Sequence, residues 1–283
     1  MKNNFPVLLH SFFQERLIEQ KKVSHHTISS YRDALRLLLG FVTDQSGISP
    51  AKLTLNEFTV DRILAFLNHL ENDRGCSIRS RNQRLAAIKA FFHHIAFKEP
   101  SALHSIQQVL EIPYKRFTRP MFGYLSKDEV NALLDAPDRS TRFGQRDYML
   151  LAFMYNTGAR ISEVIQLQLE HLYLASPYQV RIRGKGNKER VVPLWKKTAM
   201  SLANWLSVRE SFSPSSNHVF FNARGTPLSR GGGRHILGKA VVIASVKCIS
   251  LTKKNVSPHT LRHTTAMHLL QSGVDVNVIR MWL

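Results

Sequence analysis

Apolar residues recur along the first hundred positions at steps of three and four, which lays them on one side of an α-helix. Leu9, Phe12, Phe13 and Leu17 predict a helix over 6–22, and Ile28, Tyr31, Leu35, Leu38 and Val42 predict a second from 27. A third is expected over 59–71. The fourth, over 80–96, turns Leu85, Ile88, Phe92 and Ile95 inward, while Arg81 and Arg84, three apart, share another face, with Arg79 and Lys89 nearby. Such a face suits contact with DNA and would equally make an ordinary solvated surface.

Periodicity weakens over 100–122, where Pro113, Pro120 and the basic run Lys115-Arg-Phe-Thr-Arg119 predict a connecting segment. The expected organisation is a helical domain over 1–105, a linker over 106–122 and a second domain over 123–283. Ser126 and Glu129 form a capping-box pattern ahead of Val130, Leu133 and Leu134. A helix over 145–156 is apolar on nearly every side and so belongs in a core; Gly158 ends it, and Ser162 is expected to cap the short helix that follows. Arg160 then lies on a tight connection between two helices. Val180-Arg-Ile-Arg183 and Arg190-Val-Val192 alternate apolar with other residues around Gly184-Lys-Gly-Asn-Lys188, a β-hairpin pattern that puts Lys185 and Lys188 at the tip. Helices are expected over 198–210 and 235–245, with Gly231-Gly-Gly233 too irregular for a phosphate loop. Ser257-Pro258 starts another, running to Gln271, and a last one starts near Asp275. The fold class expected is mainly α with a small antiparallel β-sheet.

Charge changes the picture more than composition does. Hydrophobic residues make up 43% of the 283, enough for ordinary cores, but Lys plus Arg number 39 against 20 Asp plus Glu, a formal charge of +19. Spread along a folded chain, that excess points to a polyanion, with double-stranded DNA the first expectation and a bare solvated surface the alternative. No apolar run approaches the ~20 residues of a bilayer span, so no membrane partner is expected. The two cysteines, Cys76 and Cys248, and the absence of an export-signal pattern fit a cytoplasmic protein.

Three strings carry cationic or acid–base groups: Thr157-Gly-Ala-Arg-Ile-Ser-Glu163, Gly184-Lys-Gly-Asn-Lys-Glu-Arg190 and Pro258-His-Thr-Leu-Arg-His263. In this order and spacing they resemble the tyrosine site-specific recombinases, including phage integrases and the bacterial Xer proteins. The resemblance covers the chain from about Leu125 onward and, more weakly, an N-terminal four-helix, SAM-like DNA-binding domain. It implies that Arg160 and Arg262 hold the non-bridging oxygens of a scissile phosphate, that Lys185 donates a proton to the departing 5′ oxygen, and that His259 serves proton transfer near the nucleophile. Guanidinium suits the first task because it is planar, permanently charged and able to make paired hydrogen bonds to an oxyanion. The reaction implied is transesterification through a 3′-phosphotyrosyl link, with no metal and no cofactor, in a tetramer of recombinase subunits on DNA.

The family's pattern continues past Arg280-Met-Trp-Leu283 with Gly-His and then the nucleophilic tyrosine. All seven tyrosines of this sequence, Tyr31, Tyr114, Tyr124, Tyr148, Tyr155, Tyr173 and Tyr178, lie before His259. The expectation is therefore a catalytic domain truncated ahead of its nucleophile. Two other readings stand beside it. A DNA-binding remnant of a mobile-element integrase would keep the basic clamp without cleavage. His259 and His263, i and i+4 on one helix, resemble half of a zinc site, but no glutamate follows His259 and no third ligand is evident.

Overall fold

The structure, a computed structural model, describes residues 1–283 except 1–4, 119–122, 185, 187 and 213–215. Two compact units divide the chain, Met1–Arg119 and Pro120–Leu283, each with its own hydrophobic core. Helices dominate both, and one small antiparallel sheet lies in the second. None of the described helices is long and apolar enough to cross a membrane.

In the first unit α1 (Phe5–Ser11) continues as a π-helix over Phe12–Gln20, where the expected single helix was ordinary α. Helix α2 (His25–Ser46) is capped by Ser24 and ends at Gly47; α3 (Val60–Asn72) and α4 (Ile78–Ile95) begin at the N-caps Thr59 and Ser77. Their apolar stripes meet around Phe5, Phe12, Phe58 and Phe91, with Phe5 stacked on Phe58 at 4.0 Å.

Two expectations are corrected here. The linker of 106–122 does not start at 106: α5 (Leu103–Leu110) spans that boundary and buries Ile106 and Val109, with Ile112 following, in the first core. The chain then runs along α4, where Asn82 Nδ2 donates to the Lys115 carbonyl at 2.7 Å and Lys115 N–H donates back to Asn82 Oδ1 at 3.1 Å. The short stripe Ile106, Val109 at helical spacing was the signal, masked by the prolines around it. Arg81 does not share an exposed face with Arg84. It is 3% exposed, its Nη1 donates to the Pro113 carbonyl at 3.3 Å, and its Nε faces Glu71 Oε1 at 3.4 Å. Glu71 also pairs with Lys115 at 2.8 Å, so a buried arginine and a carboxylate hold the exit segment against α4.

The second unit is built on α7 (Arg142–Thr157), capped by Thr141 and closed by Gly158 at φ +59°. Met149, Leu150, Leu151 and Phe153 are fully buried against α9 (Lys196–Glu210) and α11 (Pro258–Gln271), as an all-round apolar helix requires. Helix α6 (Lys127–Leu134) carries the expected capping box, and its buried Glu129 also accepts from Lys254 Nζ at 2.6 Å and Ser250 Oγ at 2.5 Å. Burial alone would raise that carboxyl, but the hydrogen bonds from Lys254, Ser250 and Ser126 hold it below its ordinary value. Strands β1 (Leu172–Tyr173), β2 (Gln179–Arg183) and β3 (Glu189–Pro193) form an antiparallel sheet in that order, with Val180 opposite Val192 and Ile182 opposite Arg190. Helix α10 (Arg230–Lys247) takes in the three glycines, and Gly233 lets it approach the short helix Ile161–Val164 that follows α7: a β-carbon there would lie 2.5 Å from Ile161 Cδ1. The last helix, α12 (Val276–Trp282), is capped by Asp275.

Fully buried Asn156 joins three of these elements. Its Nδ2 donates to the Pro193 carbonyl at 3.3 Å, its Oδ1 accepts from Trp195 N–H at 2.8 Å, and its backbone carbonyl accepts from Trp282 Nε1 at 3.3 Å.

Asn156→Ala takes the donor from the Pro193 carbonyl and the acceptor from the Trp195 N–H and empties a fully buried side-chain position, and it is expected to destabilise the second unit by about 2–3 kcal/mol. All three tryptophans, Trp195, Trp205 and Trp282, lie in that unit, so urea unfolding followed by tryptophan fluorescence measures it directly. Because the Glu129 carboxyl is depressed on folding, it contributes stability above its unfolded pKa of about 4.3, and this is lost as the pH falls through the folded value. Glu129→Gln is accordingly expected to be less stable than the parent at neutral pH and to lose less of its stability than the parent on acidification, measured by the same melts at stepped pH.

Candidate phosphate-binding site

The segment that follows α7 makes the first part of the site. Gly158 turns the chain in the left-handed region, and α8 (Ile161–Val164) begins at once. Its N-cap is Arg160 rather than the expected Ser162, because Glu163 sits at the third helical position and its Oε2 accepts from Arg160 N–H at 3.0 Å. Arg160 Nη1 reaches the other oxygen, Oε1, at 2.9 Å. The arginine side chain stays 46% exposed while the carboxylate is buried at 4%.

Helix α11 supplies the second part. Ser257 caps it by accepting from Thr260 N–H at 3.2 Å, Pro258 occupies the first position, and His259 follows, exposed at the helix N-terminus. One turn on, Arg262 Nη1 donates to the Gly158 carbonyl at 2.8 Å, and its Nη2 donates to the carbonyl of Leu283. Burial first, and then the neighbouring Arg160 guanidinium, push the Arg262 pKa down to about 10, with Glu163 opposing and Arg190 adding to the fall. Arg262 thus remains a cation at neutral pH, and two guanidinium groups 102 positions apart in sequence (262 − 160) share one neighbourhood.

The hairpin supplies the third part. Arg190 of β3 donates from Nη2 to Glu163 Oε2 at 2.8 Å and from Nε to the Trp282 carbonyl at 3.0 Å. Burial would raise the Glu163 carboxyl, but hydrogen bonds from Arg190 and Arg160 outweigh it and hold the group below its ordinary value. Lys188 is exposed at the hairpin end, and its carbonyl accepts from Gly184 N–H at 2.7 Å. Lys185 lies outside the described residues.

A cavity of about 360 Å³ opens beside Arg160, lined also by Ser162, Arg230, Arg234 and His259. Four cationic or titratable groups from α10, α11 and the start of α8 therefore face one concave space, a setting for an anion. No tyrosine lines it. Tyr155, half-buried, shares a hydrogen bond of 2.7 Å between its hydroxyl and His268 Nδ1, and burial raises its pKa.

The structure brings together Arg160, Arg262 and His259. Arg190, Glu163, Arg230 and Arg234 are site residues that the sequence reading left out. Three of them had a signal: Arg190 falls in the alternating hairpin strand at a position paired with an inward one, and Arg230 and Arg234 are one helical turn apart. In the first unit, Arg79 is exposed on α4, Lys89 Nζ lies 4.9 Å above the Tyr114 ring, and Arg84 lines a polar groove of about 370 Å³ with His26, Ser30, Asp33 and Gln83.

Comparison with known proteins adds to this geometry. Residues 123–283 match the phage integrase family and residues 11–98 the phage integrase N-terminal SAM-like domain. The chain is 46% identical over 276 residues to the putative integrase/recombinase y4rC of Sinorhizobium fredii, covering 98% of this chain and 82% of that protein. It is 32% identical over 270 residues to the tyrosine recombinase XerC of Pelobacter propionicus, covering 95% and 83%. Among solved structures it is similar in fold to the XerH site-specific recombinase bound to its palindromic difH substrate in a post-cleavage complex, with a TM-score of 0.74, 21% identity, and 93% and 74% of the two chains covered. With both of its units matched and its paired arginines in one neighbourhood, the chain belongs to the phage integrase family of tyrosine recombinases.

Proposed function

We propose that this protein acts in site-specific recombination of double-stranded DNA, by strand cleavage and rejoining through a 3′-phosphotyrosyl intermediate. The observation that carries the reading is the meeting of Arg160 and Arg262 beside a cavity that His259 also lines. A scissile phosphate placed there has two guanidinium groups for its non-bridging oxygens, each with N–H groups left to donate. His259, at the N-terminus of α11, offers an imidazole nitrogen that takes the proton of the attacking hydroxyl. Lys185, which lies between β2 and β3 in the sequence, gives a proton to the leaving 5′ oxygen. One P–O bond forms as another breaks, so the later attack of a 5′-hydroxyl reverses the step without an energy source, and no metal or cofactor takes part.

The SAM-like unit serves as the DNA-binding half of a clamp, with Arg79, Arg84 and Lys89 of α4 on phosphates and Lys188 contributing from the hairpin. Arg81 has a packing role in place of the DNA contact first expected of it. None of the seven tyrosines of this sequence is assigned as the nucleophile, and the subunits act as a tetramer on DNA in the cytoplasm. The non-catalytic reading, occupation of a recombination site without cutting, is favoured by one observation, the lack of a tyrosine among the residues lining the cavity.

The test starts from a duplex selected by affinity from a randomised pool, nicked near its centre so that cleavage traps a covalent adduct. The 283-residue chain is expected to retard this duplex on a native gel, with strong salt dependence, and to form no adduct on a denaturing gel by itself. An adduct is expected once a tyrosine-bearing subunit is added. No retardation at any salt concentration overturns the proposal. In the adduct-forming mixture, Arg262→Ala is expected to slow cleavage about 10²–10³-fold, the usual effect of removing an oxyanion donor, while native-gel affinity changes little because phosphate contacts elsewhere dominate binding.

A further inference from the structure

Glu163 offers two carboxylate oxygens to three donors. Oε1 accepts from Arg160 Nη1 at 2.9 Å, while Oε2 accepts both the Arg160 backbone N–H at 3.0 Å and Arg190 Nη2 at 2.8 Å. A guanidinium facing a carboxylate favours the two-bond, side-by-side pairing. Arg160 does not achieve it, because Oε2 is already taken. The Arg160 side chain has no other hydrogen bond among the described residues, so its Nε and Nη2 are left for an incoming oxyanion.

Arg190 also sits at the root of the hairpin. It stands opposite Ile182 in the β2–β3 register, and its Nε is held by the Trp282 carbonyl at 3.0 Å. Gly184, where β2 gives way to the loop, lies directly over the ion pair: a β-carbon there would be 3.3 Å from Glu163 Oε1 and 3.6 Å from Arg190 Nη1. The charge count matters as well. Arg160, Arg190 and Arg262 bring three positive charges against one carboxylate, so the cluster is +2 (3 − 1), and without Arg190 it would be +1 (2 − 1).

We propose that Arg190 is a positioning residue of the phosphate site: by occupying Oε2 of Glu163 it keeps Arg160 from closing onto the carboxylate, and it couples that arrangement to the root of the β2–β3 hairpin. The inference rests on Arg160 and Arg262 being phosphate ligands, as proposed above. When Arg190 is removed, Glu163 Oε2 keeps the Arg160 backbone N–H but regains one open acceptor position, Arg160 turns to pair with both oxygens, and its guanidinium is neutralised and turned away from DNA. Arg262, held by the Gly158 carbonyl, keeps its place.

The test needs no cleavage. The full chain is labelled with ¹⁵N-arginine, the Nε–Hε signals of Arg160 and Arg262 are assigned by single Arg→Lys substitutions, and both are followed as the affinity-selected duplex is added to saturation. In the wild type both signals are expected to move. In Arg190→Gln the Arg160 movement is expected to be mostly lost while that of Arg262 persists. In the double variant Glu163→Gln, Arg190→Gln, where no carboxylate remains to capture Arg160, the movement is expected to return. A merely structural role for Arg190 predicts the reverse, a double variant at least as impaired as the single one. Arg190→Lys, which keeps a cation on Oε2, is expected to retain most of the response, and should Arg190→Gln fail to give a native melting transition, loss of the Arg160 movement in Arg190→Lys overturns the role. If both arginines respond in the wild type and Arg190→Gln leaves Arg160 unchanged, the positioning role is overturned and the phosphate site stands. If neither responds in the wild type although DNA is bound, the phosphate site itself is overturned, and this role with it.

Discussion

One buried carboxylate, Glu163, is the constraint around which the charged groups of the candidate site are arranged. A lone carboxylate at that depth would be costly, and three guanidinium groups in one neighbourhood would repel one another. Each problem offsets the other. The carboxylate is kept ionised by hydrogen bonds from Arg190 and Arg160, and the arginines are held close by the charge between them. The balance is incomplete in sign: positive charge is left over, and Arg160 lines the cavity together with His259, Arg230 and Arg234.

The backbone does the placing. Gly158 turns the end of α7 so that its carbonyl meets Arg262 and its neighbour Arg160 can cap α8. Asn156, two residues earlier, fixes the same helix end to the exit of β3 and to Trp282 of α12. Segments far apart in sequence thus converge on the last turn of one apolar helix, whose burial makes it the least movable part of the unit.

Much of this arrangement was legible in the residues. The hairpin, the capping box at Ser126, the start of α11 at Ser257-Pro258 and the end of α7 at Gly158 all follow from local rules of capping, turn chemistry and alternation, which depend on few neighbours. What depended on distant partners was not legible. Arg81 reads as a surface cation until Glu71 and the Pro113 carbonyl are known to face it. Residues 103–112 read as linker until their small apolar stripe finds the first core. Ser162 is the better N-cap by residue type, but Glu163 returns its hydrogen bond to the residue two before it. The role of Arg190 required knowing which oxygen of which carboxylate it meets, a fact of tertiary geometry with no counterpart in spacing.

The seat of Gly184 has a consequence for how such a hairpin can vary among relatives. With hydrogen at that position, the strand rests on the Glu163–Arg190 pair with no room to spare, so even a methyl group would press on an ion pair. Past that point the described tip is exposed, at Gly186 and Lys188. Variation in loop length or composition is therefore cheap outward from this glycine and costly at it. A lineage can retune how far its hairpin reaches while the spacing of the guanidinium groups beneath stays untouched.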